Sequence, residues 1–364
     1  MTNVVFIAVI AVRLLVPLLI PRFPLPAVVA ALVLDAADQT VMAFFDAEPD
    51  NYQQFDKALD VYYLTIAYLS TLRNWPDGFA FRISQFLWYY RLLGVAAFEL
   101  TEVRGLLLIF PNTFEFFFIF YEIVRVCWEP ANLPRKVVAG VAVSIWVFIK
   151  LPQEFWVHVL QLDATTFLLE NPGVLVALVV ALVLGAVYLN HFRKTLPPAD
   201  WEPSFKVDAH STTVVGEAAD PPSGAWALIN HPLFEKTVLV GLVIIIFLQL
   251  IEDNDAGVVE VIVGVGAIVI ATSFVELWVG NRWGSVQSSV ISFVCSGAGN
   301  TALVVLVGIV PIYAIDRDLG ELFTWFLLAL LTLIITMYDR NRTLRFDSFE
   351  ERRESALSPT QPLP

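Results

Sequence analysis

The sequence predicts an all-α, polytopic integral membrane bundle of ten or eleven transmembrane helices, on three observations. Of the 364 residues, 57% are hydrophobic and only 16% are charged, where a soluble domain carries about a quarter charged residues. Mean hydropathy is +0.70. The apolar residues come in runs of about 20 residues between charged stretches, the length a helix needs to cross the hydrocarbon layer. The runs lack the two-residue alternation of a barrel strand, and lipid admits only helices or closed barrels, because every backbone polar group there needs an internal partner.

Eleven spans are expected, over 3–20, 25–45, 52–72, 80–100, 105–124, 137–160, 172–191, 233–251, 258–280, 285–315 and 320–338. The first is interrupted by Arg13 and has neither a basic leader nor an A-x-A cleavage site, so it is expected to persist as a helix. The second and third flank the acidic turn Asp46-Ala-Glu-Pro-Asp50 and form an antiparallel hairpin. The fourth carries Trp88-Tyr89-Tyr90-Arg91, the fifth is interrupted at Phe110-Pro111-Asn112, and the sixth carries a polar stripe ending at His158. The seventh to ninth and the eleventh are predominantly apolar, with Glu276 inside the ninth. The tenth is overlong and contains Ser296-Gly297-Ala298-Gly299-Asn300, which predicts a break or a strong tilt.

Cytoplasmic connections collect Lys and Arg. Arg22, then Arg73 with Arg82, then Arg125, Arg135 and Lys136, then Arg193 with Lys194, then Arg282, and finally Arg340, Arg342 and Arg345 mark the inside. The intervening connections are acidic or neutral, with Arg104 the one discordant charge. The alternation predicts the N-terminus outside and the C-terminus inside, which an odd number of spans satisfies. The expected organisation is a seven-helix polar-core membrane bundle (1–193), a Pro-rich cytoplasmic connection with a small hairpin around Phe205–Val215 (194–232), a four-helix apolar bundle (233–338) and a disordered cytoplasmic tail (339–364).

The net charge of −13, with no basic patch, excludes nucleic acid as a partner. The two cysteines, Cys127 and Cys295, have neither the number nor the spacing of a disulfide framework or a zinc site and read as packing residues. The preference for Arg over Lys fits a prokaryotic, GC-rich source, and the location expected is the plasma membrane. No P-loop, G-x-S-x-G, H-E-x-x-H or dinucleotide fingerprint is present, so the sequence leans away from an enzyme.

The candidate chemistry lies in polar residues placed where lipid penalises them, at about 2.5–3.5 kcal/mol for a charge at mid-bilayer. Such residues face a bundle interior or a watery cavity. The second span carries Asp35, Asp38 and Gln39, spaced i, i+3, i+4 on one face. The third carries Gln53, Asp56 and Asp60, again on one face. Counted from the turn, Asp38 lies as deep as Asp56, and Asp35 as deep as Asp60. Four carboxylates at matched depth cannot all be ionised without a bound cation, a retained proton or basic partners. The candidate partners are Arg13, Lys57 and Arg91. The sixth span aligns Lys150, Glu154 and His158, each four residues apart. Glu154 and His158 suit a shared metal, or Lys150 neutralises Glu154. In the fifth span Pro111 cannot donate a backbone hydrogen bond, so a kink is expected to free carbonyls one turn from Glu115.

The spacing Asp35-x2-Asp38 and Asp56-x3-Asp60 is similar to that of the four aspartates of CDP-alcohol phosphotransferases, whose pattern is D-x2-D-G-x2-A-R-x8-G-x3-D-x3-D. The resemblance covers about 26 residues. It implies metal ligation by the first three aspartates and metal or base work by the last. Gln39 stands in place of the first Gly, Met42 and Ala43 in place of Ala-Arg, and Tyr52 in place of the second Gly, so the residues that admit the nucleotide differ.

The leading expectation is a transporter- or channel-like protein whose Asp35/Asp38/Asp56/Asp60 cluster binds a monovalent or divalent cation or exchanges protons. Arg91, Glu115, Lys150, Glu154 and His158 would extend the polar network, and the partners would be the lipid bilayer and a cation or small solute. One alternative is a membrane-embedded, metal-dependent enzyme acting on lipid or isoprenoid phosphates. Another is a structural or assembly subunit in which the acids are helix-to-helix ion pairs.

Overall fold

The computed structural model describes residues 2–45, 52–75, 77–128, 130, 133–155, single positions between 172 and 187, then 205–207, 232–248, 326–327 and 329–342. Among these residues every regular element is helical. Helix α1 (Thr2–Leu15) runs into a 3-10 turn at Val16–Leu19, followed by α2 (Pro24–Phe44), α3 (Tyr52–Asn74), α4 (Gly78–Thr101), α5 (Gly105–Ile109) and α6 (Thr113–Cys127). Then come α7 (Arg135–Ser144), a π-helical stretch Ile145–Lys150 and α8 (Leu151–Glu154), which form one continuous rod, and α9 (Pro232–Leu248). Residues 329–342 are helical and are labelled α10. Among the described residues two helical stretches, Gly105–Cys127 of 23 residues and Arg135–Glu154 of 20, are long and apolar enough to cross a membrane.

The helix ends follow from local chemistry. Pro17 tightens the end of α1 into the 3-10 turn, and Pro24 opens α2, where a missing N–H costs nothing. Asp77 caps α4 by accepting from Phe79 N at 2.8 Å. Glu102, at φ 57, directly follows α4 in the left-handed conformation usually given to glycine. The π-helical turn lies directly ahead of Pro152. A proline ring crowds the carbonyl four residues back, and a widened turn makes room for it.

The helices fall into two compact units, one of Met1–Gln85 with Lys206–Pro364 and one of Phe86–Phe205, the division falling inside α4. In the first, α3 is the central helix and packs against α1, α2 and α9. It is buried from Ala58 to Leu72 except at Asp60. The hydroxyls on this buried stretch are satisfied by its own backbone: Thr65 donates to Val61 O at 2.6 Å, Ser70 to Ala67 O at 2.7 Å and Thr71 to Tyr68 O at 2.7 Å. Met42 of α2 packs against Val5, Phe6, Val9 and Ile10 of α1. Val207, from the connection expected to be cytoplasmic, is buried here and donates its N–H to Arg22 O at 2.9 Å. The rest of the expected Phe205–Val215 hairpin lies outside the described residues. Helix α9, which opens the second expected bundle, packs on α3.

The second unit is centred on aromatic packing, with Trp88 of α4 and Phe114 of α6 at 5.5 Å between rings and Phe117, Phe118 and Tyr121 buried beside them. Both units leave large apolar side chains exposed in helical stripes. On α2 these are Val29, Val33 and Phe44, which at about 100° per residue lie on the side opposite Asp35 and Asp38, with Val41 on the flank between. On the rod they include Val143, Val147 and Phe148.

The expected spans at 172–191, 258–280 and 285–315 lie wholly or largely outside the described residues, as do Cys295, Glu276 and the Ser296–Thr301 run. Helix α10 runs to residue 342, so the first four residues of the expected tail are helical.

Candidate functional site

In the first unit, α1, α2 and α3 bring one arginine and four aspartates to a single point. Arg13 donates from Nη1 to Asp38 and, at 2.7 Å, to Asp56, and from Nη2 to Asp35 and, at 3.0 Å, to Asp60. Each terminal nitrogen therefore bridges α2 and α3, and the acids that share a nitrogen are those of matched depth in the hairpin. The planar guanidinium fork suits this arrangement, since it presents several donors in a fixed geometry, as an ammonium does not. The carboxylates converge because i, i+3 spacing on α2 and i, i+4 spacing on α3 put each pair on one helical face.

One positive charge stands against four negative ones, so these five side chains carry a formal balance of −3 when all are ionised. Two unit charges 4 Å apart interact by about 4 kcal/mol at an effective dielectric of 20, so an excess of this size needs further compensation. The site is open on the acid side. The side chains of Asp35, Asp56 and Asp60 are 25%, 35% and 31% exposed, whereas those of Arg13 and Asp38 are 4% and 2% exposed. Single oxygens of Asp35, Asp38 and Asp56 lie within 4.8 Å of one another. That spread fits one hard cation with metal–oxygen bonds of about 2.1–2.6 Å.

Of the other basic candidates, Lys57 is half-buried on α3, and Arg91 belongs to the second unit and to a different network. Gln39 sits on α2, with its side chain outside the described residues, and His158 lies outside them altogether.

The second network surrounds the break between α5 and α6. Phe110 and Asn112 leave helical geometry (φ −109, ψ 67 and φ −75, ψ 65) around Pro111. The break expected from the sequence is present, but the carbonyls beside it are already engaged. Tyr90 Oη donates to Ile109 O at 2.9 Å, and Arg91 Nη1 donates to Phe110 O at 3.0 Å. Asn112 N donates to Glu154 Oε1 at 3.2 Å, and Asn112 Nδ2 donates to Glu115 Oε2 at 3.1 Å. Glu115 pairs with Lys150 at 3.3 Å and Glu154 with Arg91 at 3.8 Å. Lys150 Nζ also lies 4.1 Å from the ring centroid of Phe116. The formal charges of these four groups balance to zero, and the carbonyls beside the break are capped by side chains from α4.

A third cluster went unrecognised in the sequence. Glu235, at the start of α9, accepts from Tyr68 Oη of α3 and, at 2.8 Å, from Gln85 Nε2 of α4. Its other oxygen accepts from Tyr338 Oη at 2.9 Å and from Arg342 Nη1 at 2.7 Å. Beside it Lys236 pairs with Asp339 at 2.8 Å, and Asn341 Nδ2 donates to Leu69 O at 2.8 Å. The local signal is the i, i+1, i+4 run Tyr338, Asp339, Arg342, at the junction of the last expected span and the expected tail. These charges balance, and the cluster fastens α9 and α10 to α3.

Comparison of the chain with known protein families, with characterised proteins and with solved structures returned no match. The similarity to the CDP-alcohol phosphotransferases thus rests on the spacing of the four aspartates alone.

Proposed function

We propose that this chain is a polytopic membrane protein, transporter- or channel-like, that binds a cation or exchanges protons at the Asp35/Asp38/Asp56/Asp60 cluster. The observation that carries this reading is the charge excess. Four carboxylates share one guanidinium, and three of the four are partly open, so the cluster has both the need for a further positive charge and a way to admit one. Two apolar helices of membrane-crossing length and the exposed apolar stripes of α2 and the rod support the bilayer as the surroundings. The eleven-span count, the outside N-terminus and the plasma-membrane location belong to the same proposal and rest on the sequence pattern.

The test is flux in sealed proteoliposomes loaded with a pH-sensitive dye and challenged with sodium, potassium, magnesium or calcium gradients. The wild-type protein should dissipate a proton or cation gradient, and Asp56→Asn and Asp60→Asn should reduce that flux at least tenfold while leaving monodisperse, helical protein. Equal flux from the variants would remove the proposal.

One observation favours the metal-dependent enzyme as a second reading: the 4.8 Å grouping of Asp35, Asp38 and Asp56. Under that reading purified protein turns over a lipid or isoprenoid phosphate only with Mg²⁺ present, and all three acids are required.

A further inference from the structure

Along the rod of α7, the π-helical stretch and α8, the buried positions are Val138, Ala142, Ile145, Lys150 and Glu154. A regular α-helix keeps one face inward at steps of three or four residues. Every step in this stripe obeys that rule except the one from Ile145 to Lys150, which carries an extra residue. The extra residue lies in the π-helical turn, where Leu151 N donates to Trp146 O, a residue further back than in α geometry. Without it the buried stripe would continue through Ile149 and Gln153, both of which are exposed.

We infer that this turn is a register element with two settings, selected by Pro152, and that it decides which side chains of the rod meet the α5–α6 break. In the observed setting Lys150 pairs with Glu115, and Glu154 accepts from Asn112 N. Closing the turn to α geometry rotates the chain beyond it by about 100° and draws it back by about 1.5 Å. Ile149 then takes the place of Lys150, and Gln153 that of Glu154. Each setting is chemically self-consistent. At the break, the Gln153 side-chain carbonyl can accept from Asn112 N as the carboxylate does, and the formal charges of Glu115 and Arg91 still balance. On the outer face, Lys150 and Glu154 are four residues apart and neutralise each other. Pro152 separates the settings, because in α geometry its ring crowds the carbonyl of Phe148, four residues back. The device thus moves one acid and one base together between the interior and the outer face of the rod.

The test is a mutant cycle on the full-length protein in detergent micelles, read by melting temperature. Lys150→Met should lower the wild-type value by several degrees, because Glu115 loses a buried counter-charge. With Pro152→Ala the turn closes and Lys150 leaves the break, so the same substitution should cost at most about half as many degrees. Deleting Ile149 from the Pro152→Ala protein removes the extra residue, returns Lys150 and Glu154 to the buried stripe, and should restore the full Lys150→Met effect. A proline that merely stabilises the rod gives no such restoration. Should the deletion protein fail to fold, a nitroxide on Ile149→Cys, with Cys127→Ser and Cys295→Ser, decides the question: its spectrum should be mobile with Pro152 and immobilised with Pro152→Ala. An undiminished Lys150→Met effect in the Pro152→Ala protein overturns the inference. So does a folded deletion protein that does not restore the effect, or a label equally mobile in both backgrounds.

Discussion

Lys150 Nζ lies 3.3 Å from Glu115 Oε2, and both side chains are buried in the second unit. Breaking a buried pair from one side leaves an uncompensated charge, which costs about 3–5 kcal/mol, whereas replacing both partners costs far less. Lys150→Met should therefore lower the melting temperature in detergent micelles strongly, and Lys150→Met with Glu115→Gln should recover most of the loss. A double variant as unstable as the single would show that the pair is not the source of the effect.

Gly94 of α4 faces the broken segment so closely that an added Cβ would lie 2.1 Å from the Cβ of Phe110 and 2.5 Å from its Cγ. No rotamer relieves a clash between Cβ atoms, so Gly94→Ala must push α4 away from the α5–α6 break. The expected cost is about 3 kcal/mol or more, at or above the top of the usual overpacking range. Because the shift would lengthen the bonds from Tyr90 and Arg91 to the freed carbonyls, amide exchange should rise across residues 106–115. Unchanged stability and exchange would contradict the packing described for this break.

The general location of these features was legible in the sequence, and their partners were not. Spans such as 25–45, 52–72 and 80–100 coincide with α2, α3 and α4 because helix length and apolar content are local properties. The convergence of Asp35, Asp38, Asp56 and Asp60 followed from helical spacing and a short turn, both visible without tertiary information. That a single Arg13 serves all four was not visible, since Lys57 and Arg91 were equal candidates on charge alone. The Glu235 cluster joins Tyr68 to a residue 167 positions later, a separation over which no periodicity carries information. Pro111 announced a break, but only the three-dimensional neighbours reveal that Tyr90 and Arg91 cap the carbonyls it frees.

The Glu235 cluster predicts an asymmetric result. Glu235 is buried and accepts four hydrogen bonds, so Glu235→Ala should destabilise the first unit by roughly 3 kcal/mol or more, as its four donors lose their acceptor and half-buried Arg342 loses this carboxylate. Tyr338→Phe removes one donor from a carboxylate that keeps three, and should cost about 1–1.5 kcal/mol. Equal losses for the two, read by thermal unfolding, would contradict the central place given to Glu235.

Glu102 holds φ 57 directly after α4. A side chain there costs about 1–2 kcal/mol that glycine does not pay, offset in part by the greater freedom of glycine in the unfolded chain. Glu102→Gly should raise stability by about 0.5–1 kcal/mol, and Glu102→Val should lower it. The melting temperatures of the two variants should fall on opposite sides of the wild type.

The excess of acid over base around Arg13 is tested most directly by the melting temperature of the purified protein as MgCl₂ is raised to millimolar levels, compared between the wild type and Asp56→Asn/Asp60→Asn. Relief of like-charge repulsion by a bound cation should raise the wild-type value by several degrees, and the double variant should start higher and not respond. A wild type indifferent to the salt, together with a double variant that melts lower, would mean that Arg13 alone satisfies these carboxylates and that no cation is called for.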